Sequence, residues 1–141
     1  MRVVLDTGIL LAALITSATP PDLIYRAWRK KAFEVITSEW QLDELRRVSR
    51  YPKLRKYLKP AEAGTLVNGL RRQATVLQDL PKVELSPDPD DNPILATAIA
   101  GMADYLVTGD QRDLLSLGKV EAVQIITARA FAELLGVSPA D

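Results

Sequence analysis

The chain has 141 residues, with 18 Lys and Arg against 18 Asp and Glu, so its zero net charge gives no bulk argument for a polyanionic partner. At 48% apolar and 26% charged residues, it has the makeup of one globular domain with its own hydrophobic core. It contains no cysteine and no histidine, which excludes disulfides, thiolate or imidazole metal ligands, imidazole base catalysis and every Ser-His triad; a metal would have to be held by oxygen, which favours Mg²⁺ or Mn²⁺ over Zn²⁺.

From the N-terminus, Val3-Val4-Leu5 is a short apolar run ending in Asp6-Thr7-Gly8, a strand followed by a turn. Residues 9–15 read as a buried helix. Met1-Arg2 followed by this apolar stretch resembles a signal peptide, but Asp6 cuts the run and the basic region is a single Arg. No uninterrupted apolar run is long enough to cross a bilayer, so the expectation is a cytoplasmic protein. Thr19-Pro20-Pro21-Asp22 breaks the chain and starts a helix with Leu23, Ala27 and Trp28 on its apolar side. Residues 33–36 read as a second strand. Thr37-Ser38 opens the next helix, where Ser38 and Gln41 fit a capping box, and Tyr51-Pro52 ends it.

Residues 60–74 read as a helix with Ala63, Leu66, Val67 and Leu70 on its apolar side, and residues 74–77 as a third strand. Residues 86–93, Ser-Pro-Asp-Pro-Asp-Asp-Asn-Pro, form turns and cannot be a strand interior. A helix follows over residues 92–102, with Ile94, Leu95, Ala98, Ile99 and Met102 apolar. A fourth strand at 105–107 closes in Thr108-Gly109-Asp110. A short helix around 112–117, a fifth strand at 123–126 and a final helix over 128–135, ended by Gly136, complete the chain. Strands alternating with helices predict a single α/β domain over residues 1–141, a three-layer α/β/α sandwich around a mostly parallel sheet of about five strands.

Charge is unevenly spread. Residues 26–59 hold eleven Lys and Arg against four acids, whereas residues 79–113 hold eight acids against Lys82 and Arg112. Four of the acids, Asp6, Glu44, Asp91 and Asp110, sit where a carboxylate has no obvious structural role. Asp6 and Asp110 end apolar runs, and ligands of open parallel sheets bind beyond the carboxyl ends of the strands. Glu44 falls between Trp40 and Val48, inside the apolar arc that Leu42 and Leu45 share at about 100° per residue; there it must find a cation or hydrogen bonds, or reach out to water. Asp6 and Asp110 could equally cap the helices that follow them. One of Asp90, Asp91 and Asn92 must cap the helix at Pro93, but a cap does not explain Asp88, Asp90 and Asp91 together, which repel one another. Thr7 and Thr108 are placed either to orient carboxylates or merely as turn residues. Asp113 reads as a solvated helix residue or as a partner behind the other acids. Distant carboxylates converging at one sheet edge would make a site for a hard divalent cation and point to phosphodiester chemistry.

Four segments carry a resemblance that runs nearly end to end: V-V-L-D-T-G at 3–8, S-E-W-Q-L-D-E-L at 38–45, D-P-D-D-N-P-I-L-A-T-A at 88–98 and A-D-Y-L-V-T-G-D-Q-R-D-L-L at 103–115. They resemble the PIN domain, the fold of the toxin ribonucleases of prokaryotic type II toxin–antitoxin systems. The resemblance implies a Mg²⁺- or Mn²⁺-dependent endoribonuclease that uses activated water, with Asp6, Glu44, Asp91 and Asp110 as catalytic metal ligands. Thr7, Thr108, Asn92, Asp113 and Asp88 would support them; the register of I-L-A-T-A favours Asp91 over Asp88 or Asp90 as the ligand. Gly8 departs from the family pattern, standing where many relatives carry a polar residue, often Asn. Arg46, Arg47, Arg50 and Arg112 are candidates to meet the RNA backbone. The resemblance further implies a small antitoxin inserted into the acidic groove, and a homodimer. A catalytically silent PIN-like module that only binds RNA or protein is the alternative. A haloacid-dehalogenase phosphatase would need an acid at position 8, and a receiver-type phosphoacceptor an acid pair near the first strand and a Lys after the last.

Overall fold

The computed structural model describes residues 1–110 and 112–139. Within these residues six strands form one sheet: β1 (Arg2–Leu5), β2 (Glu34–Ser38), β3 (Thr75–Leu77), β4 (Tyr105–Val107), β5 (Lys119–Val120) and β6 (Val123–Ile126), in the order β3-β2-β1-β4-β6-β5. All pairings are parallel except β5 with β6. Among the described residues six helices cover it: α1 (Thr7–Ile15), α2 (Pro20–Arg29), α3 (Glu39–Ser49), α4 (Pro60–Gln73), α5 (Asn92–Ala100) and α6 (Ala128–Leu135).

The side-chain period of two along a strand sorts the core into two halves. Val3, Leu5, Val35 and Val107 face a large cluster with Leu10, Ile24, Trp28, Leu42, Leu45, Leu66, Leu70 and Phe131, drawn from α1 to α4 and α6. Val4, Ile36 and Leu106 face the other way, onto Ile94, Leu95 and Ala98 of α5 and onto Leu114. The sheet is therefore covered on both faces, the three layers that the alternation predicts. The apolar stretch after Met1 is the central strand and a helix packed into this core. Among the described residues no single helix is long and apolar enough to cross a membrane.

Several boundaries differ from the sequence reading. The sheet gains β5, two residues that turn back through Glu121 at φ 52°. Helix α5 stops at Ala100 rather than 102: Gly101 lies against Ile36, and Met102 takes a left-handed φ of 51° to turn the chain into β4, leaving its side chain 75% exposed. In place of the short helix at 112–117 there are turns and a 3-10 turn at Leu115–Leu117. The capping box at Ser38 is half formed. Ser38 Oγ accepts from the Gln41 N–H, but the Gln41 side chain turns inward, accepting from Thr37 Oγ1 at 2.6 Å and donating to the Leu5 carbonyl at 2.7 Å. That buried amide fastens α3 to the end of β1, one residue before Asp6.

A carboxylate cluster as candidate metal centre

The strand order grows in opposite directions from the β1/β4 pair, so the carboxyl ends of these two neighbours mark the switch point of the sheet. Asp6 follows β1, and the Asp6 N–H continues the ladder to the Val107 carbonyl at 2.9 Å. Thr108 follows β4 and is fully buried. Its hydroxyl donates to Asp6 Oδ2 at 2.7 Å and accepts from the Asp110 N–H at 3.0 Å. One side chain thus orients the acid of one strand end and the backbone of the other. Asp6 Oδ1 accepts from the Thr7 N–H at 2.8 Å, and Thr7 Oγ1 donates to Glu44 Oε2 at 3.1 Å. Both threonines therefore orient carboxylates. Gly8 is exposed and contributes nothing to this support.

Asp91 completes the group from the α5 side. It stands at the N-cap position of α5, yet its carboxylate makes no capping bond. Instead it is in hydrogen-bonding reach of Asp110, feels the charges of Asp88 and Asp6, and accepts from Ser86 Oγ at 3.4 Å. Contrary to the sequence expectation, none of Asp90, Asp91 and Asn92 caps α5 with its side chain; Asp88 caps only the 3-10 turn Pro89–Asp91, its carboxylate accepting from the Asp90 N–H at 3.0 Å. Asp110 has a cap-like bond, accepting from the Asp113 N–H at 3.1 Å. Asp113 is not a solvated helix residue. Among the described residues, carboxylate oxygens of Asp88, Asp91 and Asp113 lie within 4.8 Å of one another. Asn92 serves the loop instead, since its Oδ1 accepts the N–H groups of Leu85 and Ser86 and folds that segment onto the start of α5.

The electrostatics follow from this crowding. Burial pushes the Asp6 carboxyl above its usual range, against the pull of the Thr108 and Thr7 hydrogen bonds, and the Asp110 charge adds to the rise. Glu44 is raised by burial as well, with Asp6 and Asp90 adding and the Thr7 hydroxyl and Arg47 opposing. Asp91 is pushed from 3.8 to about 7 by burial, by its shared hydrogen bond with Asp110 and by the charges of Asp110, Asp88 and Asp6. Three carboxyls that resist ionisation in one place form a pocket of excess negative potential built entirely of hard oxygen donors. Such a set suits a divalent cation such as Mg²⁺ or Mn²⁺.

The basic candidates divide. Arg47 is near enough to lower the pKa of Glu44 and donates to Tyr51 Oη at 2.6 Å. Arg46 is engaged with Asp43 at 3.1 Å. Arg50 and Arg112 are exposed. Sequence reasoning missed Ser86 and the reach of Gln41. Ser86 had no signal beyond its place in a turn, and Gln41 showed itself only as a polar residue three positions after a cap.

The family model of the PIN domain matches residues 2–112, which include Asp6, Glu44, Asp91 and Asp110. A search of curated proteins gave no match. With its sheet, its switch-point acids and this match over most of its length, the chain belongs to the PIN domain family, whose members are in general metal-dependent nucleases.

Proposed function

We propose that the protein is a Mg²⁺- or Mn²⁺-dependent endoribonuclease that cleaves RNA phosphodiester bonds with water, acting in the cytoplasm as the toxin of a toxin–antitoxin pair. The observation that carries the nuclease reading is the gathering of Asp6, Glu44, Asp91 and Asp110 at the carboxyl ends of β1 and β4. These four would hold the cation, with Asp88 and Asp113 beside Asp91. A bound divalent cation offsets charge on the phosphate oxygens and makes water a better nucleophile near neutral pH.

The remaining work belongs to the chain itself. Thr108 fixes the Asp6 carboxylate and Thr7 fixes that of Glu44, so neither needs to reorganise as charge develops. Arg47 at the rim, with exposed Arg50 and Arg112, would meet the RNA backbone and add affinity without sequence preference. Arg46, paired with Asp43, would add less. The toxin role, a small antitoxin seated over the acids and a homodimer rest on the resemblance of the motifs at 3–8, 38–45, 88–98 and 103–115 to the toxin branch of the family.

The test is cleavage of labelled RNA with Mn²⁺. The wild type should cut it, EDTA should stop the cut, and Asp6→Asn should lose it while keeping the fold. A phosphomonoester should remain intact. Full activity of the Asp6→Asn protein would remove the site from the mechanism, and hydrolysis of the monoester alone would make the enzyme a phosphatase.

A further inference from the structure

Beside the carboxylate cluster lies a groove of about 760 Å³ whose walls are Trp40, residues 78–84, and Ser86, Pro89, Asn92 and Pro93. Its size is that of a small-molecule site. Two connections make it continuous with the acids. Trp40 and Glu44 are four residues apart on α3 and share one face of the helix. Ser86, in the wall, hydrogen-bonds Asp91, and Pro89 and Asn92 flank the two residues that include Asp91.

The lining is chiefly apolar and carries Asp79 and Glu84 against Lys82, one negative charge in excess. A phosphate would be repelled there, whereas a neutral, flat ring would not. Trp40 is half-buried on the smaller core cluster and presents an aromatic wall. Asn92 spends its carbonyl oxygen on two backbone N–H groups, and its Nδ2 has no partner among the described residues. It therefore offers the groove a donor and no free acceptor.

We propose that this groove is a nucleobase subsite: an unpaired base of the RNA, next to the phosphate held over the carboxylates, stacks on Trp40 and accepts a hydrogen bond from Asn92. This rests on the nuclease reading above and extends it from the reacting phosphate to the base beside it. Stacking on an aromatic side chain tolerates every base, because each has a π-face. The subsite thus selects single-stranded over paired RNA, and the Asn92 donor adds preference only for bases with an acceptor on the edge presented.

The test pairs protein and substrate changes. Trp40→Leu keeps an apolar side chain on the core cluster and removes the ring. A short single-stranded oligoribonucleotide is made with a stabilised abasic residue at each position in turn. With the wild type and Mn²⁺, one abasic position beside the cut should raise KM about tenfold or more. With Trp40→Leu, KM for the intact oligonucleotide should rise to a similar extent, and that abasic position should cost little more. In parallel, binding of the intact oligonucleotide to Asp6→Asn should quench Trp40 fluorescence, a change missing in the Asp6→Asn, Trp40→Leu protein, where buried Trp28 is the only tryptophan left. Cleavage with a KM indifferent to both changes would overturn the subsite while leaving the nuclease intact. If the wild type cleaves nothing, the nuclease reading falls and the fluorescence decides the subsite alone: quenching that depends on Trp40 supports it, and its absence overturns it.

Discussion

Replacing Asp91 with Asn should stabilise the metal-free protein. In the folded state Asp91 takes up its proton near pH 7, whereas the ordinary value is 3.8. Between those values the folded state binds a proton that the unfolded state does not. The contribution of this group to stability is therefore full below about pH 4 and is lost as the pH rises through about 7. Displacement from 3.8 to about 7 corresponds to about 4 kcal/mol at 1.36 kcal/mol per tenfold change in proton affinity. Asp91 is partly open to solvent, so screening leaves about 1–2 kcal/mol. Asn is never charged and keeps a donor toward Asp110, much as protonated Asp91 does. In EDTA at pH 8, Asp91→Asn should melt about 3–6 °C above the wild type, and the gap should close toward pH 4. Mn²⁺ should raise the wild-type Tm more than that of the variant and narrow the gap. A variant that melts at or below the wild type at pH 8, or a gap that ignores pH, would refute the mutual crowding of these acids.

Other changes probe the parts around the cluster. Thr108→Val removes the donor to Asp6 and the acceptor of the Asp110 N–H; it should cost about 1–3 kcal/mol and about 10- to 100-fold in cleavage, with Thr108→Ser recovering most of both. Equal damage from Ser and Val would place the fault in packing rather than in the hydroxyl. Gly101→Ala should destabilise by about 1–3 kcal/mol in thermal melts, since its Cβ would stand 2.4 Å from Ile36 Cγ2 and 3.0 Å from the Thr97 carbonyl oxygen. An unchanged Tm would mean that α5 can shift away from the sheet at no cost.

The acids at the strand ends were legible because a buried apolar run that stops at Asp leaves that side chain at the edge of the sheet, as Asp6 after Leu5 and Asp110 beyond Val107 show. Glu44 was legible as a charge inside an apolar helix arc. What could not be read was the pairing of distant segments. Only the order β2-β1-β4 sets Thr108 against Asp6, and residues 102 positions apart leave no local signal. The same holds for Asp113, which joins Asp88 and Asp91 from a segment of turns where a helix is expected. Residues 78–84 have no hydrophobic period, so the wall they build beside Trp40 was invisible, as was β5, too short to form a pattern. Met102 fits the apolar side of α5 by spacing, but the turn into β4 takes it out of the helix.

The most direct measurement is Mn²⁺ binding by calorimetry at pH 7.5, compared between the wild type, Asp91→Asn and Asp6→Asn. The crowded carboxylates predict saturable binding to the wild type, weakened about tenfold or more in each variant. A wild type that binds no Mn²⁺, or variants that bind it as tightly as the wild type, would contradict the assignment of these acids to a metal centre.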